Sequence, residues 1–309
     1  MLAFLVYASA ASCFFPLAMR QRLGVTFINA VTAAVLWALG RRSEKRRFLT
    51  TLRDWLPCVL ILLAYRESGL FLSPDPAHQL DLAFIGWDNL ILKNRGVLQI
   101  LDFTSPWLQR YLEFCYFLCY PLVPFGLGTL YLAGYARSSE GRGSGGPHAR
   151  QSDPAVPDYL GASSDRRTSD PIDHFWAAVL LATLTCYVLF PFFPLTPPRV
   201  LFHDVPGPVV APLLRRMNFW LLDHYSVQAC IFPSGHVAAV TATGLVVRAY
   251  LPRLGVAFLI AAASVAVATV YGRYHYAADA VAGALVGVAA YAIAARIRKR
   301  GTAPRAPTE

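Results

Sequence analysis

Apolar residues in this chain gather into long runs that lack a polar face. Residues 256–270 carry no formal charge, and residues 277–293 carry only Asp279. A helix needs about 20 apolar residues to cross the roughly 30 Å of a bilayer's hydrocarbon. A core helix of a soluble protein keeps one side polar, and these runs do not, so lipid is their expected surround. Marking every such run predicts eight spans: 2–19, 25–39, 55–72, 111–135, 175–193, 231–250, 254–271 and 277–297.

The breaks between the runs hold the basic residues. Arg41 to Arg47 (RRSEKRR), the Arg-bearing segment after Tyr135, and Arg296 to Arg300 (RIRKR) are the main clusters. The positive-inside bias assigns all three to the cytoplasm. Eight spans satisfy these placements together, with both termini cytoplasmic and residues 73–109, 194–230 and the turn around 272–276 outside. Arg20 and Arg22 fall on the outer side and count against this arrangement. Residues 137–171, containing GRGSGGPHARQSDPAVP, have no apolar period and are predicted to be a flexible polar loop. That loop divides an amino-terminal packing and substrate-access module (1–136) from a catalytic core (172–300), with 301–309 as a disordered tail. The expected fold class is all-α, a polytopic transmembrane helical bundle of about six to eight spans.

Composition supports this reading. A chain with 56% hydrophobic and 15% charged residues does not describe ordinary soluble domains. Its net charge of +10 would suit nucleic acid, but the basic residues form no continuous face, so no nucleic-acid partner is expected. Cys13, Cys58, Cys115, Cys119, Cys186 and Cys230 show neither metal-type spacing nor the density of a disulfide scaffold, and read as small core residues.

Three polar islands stand at the predicted outer ends of spans: Pro197-Pro198-Arg199, Phe232-Pro233-Ser234-Gly235-His236, and Gly272-Arg273-Tyr274-His275-Tyr276-Ala277-Ala278-Asp279. Polar groups at membrane depth are costly and mark function. Ser234 stands where it can cap the following helix and turn the amides near Gly235 and His236 towards an anion. Gly235 lets the backbone approach a ligand closely. His275 and Asp279, four residues apart, share one face if this stretch is already helical. The carboxylate can then accept the imidazole's proton-bearing nitrogen, leaving the other nitrogen free to attack phosphorus. Arg199 and Arg273 carry planar donors suited to phosphate oxygens, and His236 remains for proton transfer. Taken singly, each has a plainer reading: an interfacial histidine, a topology anchor, a helix cap, or an acid paired with an arginine. Their combination favours chemistry. His203, Asp204, Asp223 and His224 are loop residues that either contact a head group or are simply solvated.

With these residues the chain resembles the type 2 phosphatidic acid phosphatase superfamily, whose second motif is PSGH and whose third ends in His-x-x-x-Asp. Here they are Pro233-Ser234-Gly235-His236 and His275-Tyr276-Ala277-Ala278-Asp279. The resemblance implies a metal-independent mechanism without cofactor, in which His275 is the nucleophile, Asp279 its partner and His236 the general acid. The family's first motif, Lys-x6-Arg-Pro, is absent: Phe192 stands seven positions before Arg199, and Val200 follows it. Thr269 occupies the position of the usual third-motif arginine, and Arg273 is its candidate replacement. The GRYHYxxD form, the Pro-Pro-Arg element and the LDLAFIGWDNL and SPWLQRYLEFCYF stretches resemble the inositol phosphorylceramide synthase-like (inositolphosphotransferase) branch and its bacterial relatives. This implies a multi-pass protein of a bacterial inner membrane. The expected partners are a phospholipid, sphingolipid or polyprenyl phosphate, with water or an alcohol as acceptor. The competing class is a transporter or catalytically silent scaffold, for which Arg66 and Glu67 in the third run would be pathway residues. Those two also read as an internal ion pair or an early end to the span.

Overall fold

The computed structural model describes residues 1–42, 47–72, 79–92, 105–135, 171–202, 213–227, 229–230 and 232–302. Residues 137–170 of the expected flexible loop, His203, Asp204 and residues 303–309 of the expected tail lie outside the described residues. Among those described there are twelve α-helices and no strand. They are α1 (Leu2–Phe14), α2 (Met19–Arg42), α3 (Arg47–Leu70), α4 (Gln79–Leu92), α5 (Pro106–Leu118), α6 (Leu122–Leu130), α7 (Pro171–Leu189), α8 (Pro198–Leu201), α9 (Leu213–Tyr225), α10 (Gly235–Tyr250), α11 (Pro252–Tyr271) and α12 (Ala277–Thr302).

Five helices are long and apolar enough to cross a membrane: Met19–Arg41, Phe48–Leu70, Pro171–Phe192, Pro252–Tyr271 and Ala277–Arg300. The expected span over 111–135 is a broken pair, Pro106–Leu118 and Leu122–Tyr135, bent by 67°. Pro121 stands at that break; it supplies no N–H to continue the ladder, and the helix restarts at Leu122. The first and sixth expected spans are short, with 13 residues in α1 and 16 in α10.

The short α10 is the centre of the carboxyl-terminal half, flanked by α7, α11 and α12 and touched by α6. Val237, Ala238, Val240, Ala242, Val246 and Val247 are all buried. A helix enclosed by other helices needs small residues rather than a lipid-facing coat. Gly283 and Gly287 of α12 make the closest approach. A Cβ on Gly283 would lie 2.5 Å from the Ser234 carbonyl oxygen, and one on Gly287 would lie 2.7 Å from that of Ala238. This Gly-x-x-x-Gly face therefore presses α12 directly onto the segment that carries His236.

The amino-terminal helices share the same core. Trp176 Nε1 donates to the Asp54 carbonyl at 2.7 Å, Tyr131 donates to Asp54 Oδ2 at 2.6 Å, and Tyr7 donates to the Val188 carbonyl at 3.0 Å. Arg22, which counted against the eight-span arrangement, bonds the carbonyls of Leu17 and Phe15 and so closes the end of α1. Two segments expected as outer loops contain helices, α4 and α9. In α9 the buried residues are Arg215, Asn218 and Leu222, while Leu213, Met217, Trp220 and Tyr225 are exposed. Its polar side faces the protein, which is the inverse of a soluble surface helix.

Arg66 and Glu67 part company in the structure. Arg66 donates to the His224 carbonyl at 3.4 Å. With the Asn29 amide oriented to accept from Ser9, its nitrogen donates to both Glu67 oxygens at 3.0 and 3.2 Å. Helix α3 continues beyond both residues to Leu70, so neither an ion pair between them nor an early helix end describes them.

Candidate active site

Four helix ends converge at one end of the bundle: the amino termini of α10 and α12 and the carboxyl termini of α7 and α11. Ser234 caps α10, its Oγ accepting from the Val237 N–H at 3.4 Å. The Ser234 N–H in turn donates to the Asp279 carbonyl at 3.1 Å. The motif loop is thereby tied to the first turn of α12. The remaining link is between Arg199 and Arg273, whose backbones meet in an N–H to carbonyl bond of 3.0 Å.

At this junction His275 and Asp279 form a pair, although His275 lies in the turn before α12, which begins at Ala277. His275 Nδ1 lies 3.3 Å from Asp279 Oδ2, and both residues are buried. The same carboxylate oxygen accepts the Tyr276 N–H at 3.1 Å. With Nδ1 so engaged, Nε2 lies 3.5 Å from Ser234 Oγ, against the capped amino terminus of α10. His236 stands edge-on to His275 with ring centroids 6.0 Å apart. Tyr116 and Tyr120 flank it at 6.4 and 5.6 Å, and its Nδ1 is buried with no hydrogen-bond partner among the described residues. The two imidazoles are thus separately held, each with a nitrogen unclaimed by the other.

Arg199 is half-buried in α8, and its charge acts on Tyr65, Tyr120 and Cys230. Among the described residues no hydrogen bond or ion pair holds its guanidinium. Arg273 is half-buried with φ 59°, in the left-handed region that non-glycine residues avoid. Backbone strain of this kind gathers at functional turns. Thr269 is buried and bonds the Ala266 carbonyl at 2.7 Å, so it supplies no phosphate donor. Gly235 is buried against Tyr187, whose ring edge would lie 3.1 Å from an added Cβ. The close approach that this glycine permits is to a neighbouring helix. Asp223 and His224 lie at the end of α9, and His224 Nδ1 is engaged by the Trp220 carbonyl at 2.8 Å.

Several residues at the junction escaped the reading of the chain. Cys230, expected to be a plain core residue, is held by an N–H bond of 2.8 Å to the Leu195 carbonyl. Its Sγ contacts Asp279 Oδ2 at 2.9 Å and His275 Nδ1 at 3.2 Å. Burial, reinforced by the Asp279 charge, pushes the thiol well above its usual range, so it is a protonated donor to that carboxylate. Cys230, His275 and Asp279 place one ligand atom each within 4.8 Å of one another, a grouping that the spacing of the cysteines does not show. Their separation along the chain hid it.

The LDLAFIGWDNL stretch forms α4 and supplies two acids. Asp81 Oδ1 accepts the Thr196 N–H at 2.8 Å and the Tyr276 hydroxyl at 3.5 Å, bracing the loop before Arg199. Asp88 Oδ1 accepts the N–H groups of Ala277 and Ala278 at 2.9 and 3.4 Å, capping α12 from another helix. Burial raises the Asp88 carboxyl to about 6, against the two amide bonds and with help from Asp279. The SPWLQRYLEFCYF stretch supplies Glu113, which accepts from Tyr274 at 2.8 Å, from Asn218 at 3.0 Å, and from Arg215. Tyr274 also stacks on Tyr116 at 3.7 Å. The residue before His275 is therefore fixed by α5, and through Glu113 by α9.

Residues 160–293 match the family model of the PAP2 superfamily, and this region includes every candidate residue described above except those of α4 and α5. That stretch of the chain is similar to the superfamily over the region that holds both histidines. No curated protein and no solved structure matches the chain. The long apolar helices are those of a multi-pass membrane protein, and the matched region is similar to phosphatase-type enzymes.

Proposed function

We propose that this protein removes or transfers the phosphate-linked head group of a lipid through a phosphohistidine on His275. The observation that carries the reading is the His275–Asp279 pair, with Nδ1 held at 3.3 Å and Nε2 facing the amino terminus of α10. The carboxylate selects the tautomer with a lone pair on Nε2 and stabilises the imidazolium formed as that nitrogen bonds phosphorus. As the phosphorus–oxygen bond to the leaving alcohol breaks, His236 donates a proton to it. His236 then takes a proton from the water or acceptor alcohol that attacks the phosphohistidine. Arg199, Arg273 and the capped amides around Ser234 and Gly235 neutralise the phosphoryl oxygens. The substrate is a phospholipid, sphingolipid or polyprenyl phosphate, and no step requires a metal.

The arrangement of charge supports a site on the non-cytoplasmic surface, with both termini inside. Arg248, Arg253, Arg296, Arg298 and Arg300 gather at the far end of α10, α11 and α12, where Arg298 bonds Tyr250 at 3.1 Å. That end is the cytoplasmic one by the positive-inside rule. An impermeant thiol reagent on intact cells should label a cysteine placed at Asp223 and spare one at Arg142; the opposite pattern inverts the orientation.

The decisive experiment presents radiolabelled phospholipids, sphingolipids and polyprenyl phosphates to the purified protein in detergent with excess chelator. Phosphate release or head-group exchange, with an acid-labile phosphoenzyme absent from H275A, is the expected result. Turnover that needs a divalent ion, or a phosphoenzyme retained in H275A, overturns the mechanism.

A further inference from the structure

Cys230 adds to the catalytic pair something that phosphoryl transfer does not require. Its thiol, the His275 imidazole and the Asp279 carboxylate meet at contacts of 3.2, 2.9 and 3.3 Å. Sulfur, nitrogen and oxygen together are the donor set of zinc. Bonds of about 2.0–2.3 Å at tetrahedral angles put such donors ~3.4–3.6 Å apart. The three atoms reach that geometry by opening a few tenths of an ångström, with small rotations of the Cys230 and Asp279 side chains. A second observation points the same way: Asp279 Oδ1 is buried and has no hydrogen-bond partner among the described residues. An unsatisfied carboxylate oxygen in a buried site is costly, and a cation relieves it.

We propose that Cys230, His275 and Asp279 form an inhibitory site for zinc or a similarly soft divalent cation, built on the catalytic pair itself. This rests on His275 being the nucleophile. Binding displaces the thiol proton to solvent, and the resulting thiolate and carboxylate together balance the charge of the ion, as a buried site demands. The imidazole proton moves from Nδ1, which now bonds the metal, to Nε2. A neutral imidazole carries one proton, so the Nε2 lone pair that attacks phosphorus is gone. A ligand set drawn from positions 230, 275 and 279 is invisible to a search for close sequence spacing. It also couples the activity to soft-metal availability without any resident metal.

The test uses the full-length protein in detergent, stripped of metal, with zinc chloride and cobalt(II) chloride as probes. Zinc should bind at one equivalent per chain by equilibrium dialysis and should stop turnover reversibly, chelator restoring it. Cobalt should give a thiolate-to-metal charge-transfer band. C230S keeps a donor to Asp279 but has no thiolate, so it should lose that band and need at least tenfold more zinc for half-inhibition, measured against its own metal-free rate. C230A, which removes the ligand altogether, should behave likewise in dialysis. No bound zinc in the wild type, or an unchanged cobalt band or zinc sensitivity in C230S, overturns the proposal. Each of those results leaves chelator-resistant turnover, and hence the phosphohistidine reading, intact. Loss of turnover in chelator with recovery on adding zinc overturns both.

Discussion

The Tyr274 hydroxyl donates to Glu113 Oε2 at 2.8 Å across 161 positions of the chain. The residue directly before His275 is therefore set by α5, and Glu113 in turn is satisfied by Arg215 and Asn218 of α9. Removing one partner of a buried ion pair leaves the other charge uncompensated, at about 3–5 kcal/mol, whereas an apolar replacement of both can be neutral. E113A should therefore lower the thermal unfolding midpoint sharply, and E113L/R215M should recover most of the loss. Y274F, which sacrifices one hydrogen bond and keeps the stack on Tyr116, should cost about 1–2 kcal/mol. Equal midpoints for E113A and Y274F would show that the network is not the anchor of this turn.

The two histidines should fail differently. H275A should abolish turnover with every leaving group, because the proposed mechanism has His275 as its nucleophile. H236A should be partly rescued by activated aryl phosphates, whose leaving groups need no proton. D279N should fold normally yet lose about 10²–10⁴ in turnover, since an amide neither holds the productive tautomer nor balances the imidazolium. Phosphoenzyme trapping across the three variants checks this, and a phosphoenzyme lost in H236A but kept in H275A reverses the roles.

Close packing of α12 on the motif loop predicts a steric effect. In G283A the new methyl would sit 2.5 Å from the Ser234 carbonyl oxygen, so α10 and α12 must separate. Overpacking of this kind costs about 1–3 kcal/mol, and turnover should fall with it as His236 moves away from His275. Gly86 of α4 has nothing within 4 Å of an added Cβ, so G86A should be neutral or stabilising by up to about 1 kcal/mol. Similar melting and kinetics for the two variants would refute the packing argument.

Asp88 gives the fold a pH dependence whose sign follows from its raised carboxyl. Between its ordinary value of 3.8 and about 6, the folded protein holds a proton that the unfolded chain has lost. Stability contributed at this position therefore falls as pH rises through that window. D88N keeps an oxygen for the Ala277 and Ala278 amides and carries no charge. It should match the wild type near pH 4 and exceed it above pH 6. D88A removes the cap and should be less stable than D88N by about 1 kcal/mol at both. Melting curves of the three proteins at pH 4 and pH 8 test this; a D88N advantage confined to low pH contradicts it.

What the sequence by itself determined was whatever local spacing encodes. Apolar runs without a polar face gave the long helices 252–271 and 277–300, because the bilayer demands length and uniform hydrophobicity within a single segment. The four-residue step from His275 to Asp279 gave their pairing, and the PSGH run gave the cap on α10, since both are properties of one helix end. Tertiary structure alone decided the rest. The burial of α10 by three neighbours lets a 16-residue helix serve where a full span was expected. The inward polar face of α9 is meaningful only beside Glu113. Cys230, Asp81 and Asp88 reach the junction from loops and helices remote in sequence, and each bond they make depends on how those elements pack. A hydrogen bond across tens or hundreds of residues leaves no periodic trace in the chain, because its partners are brought together by the folding of everything between them.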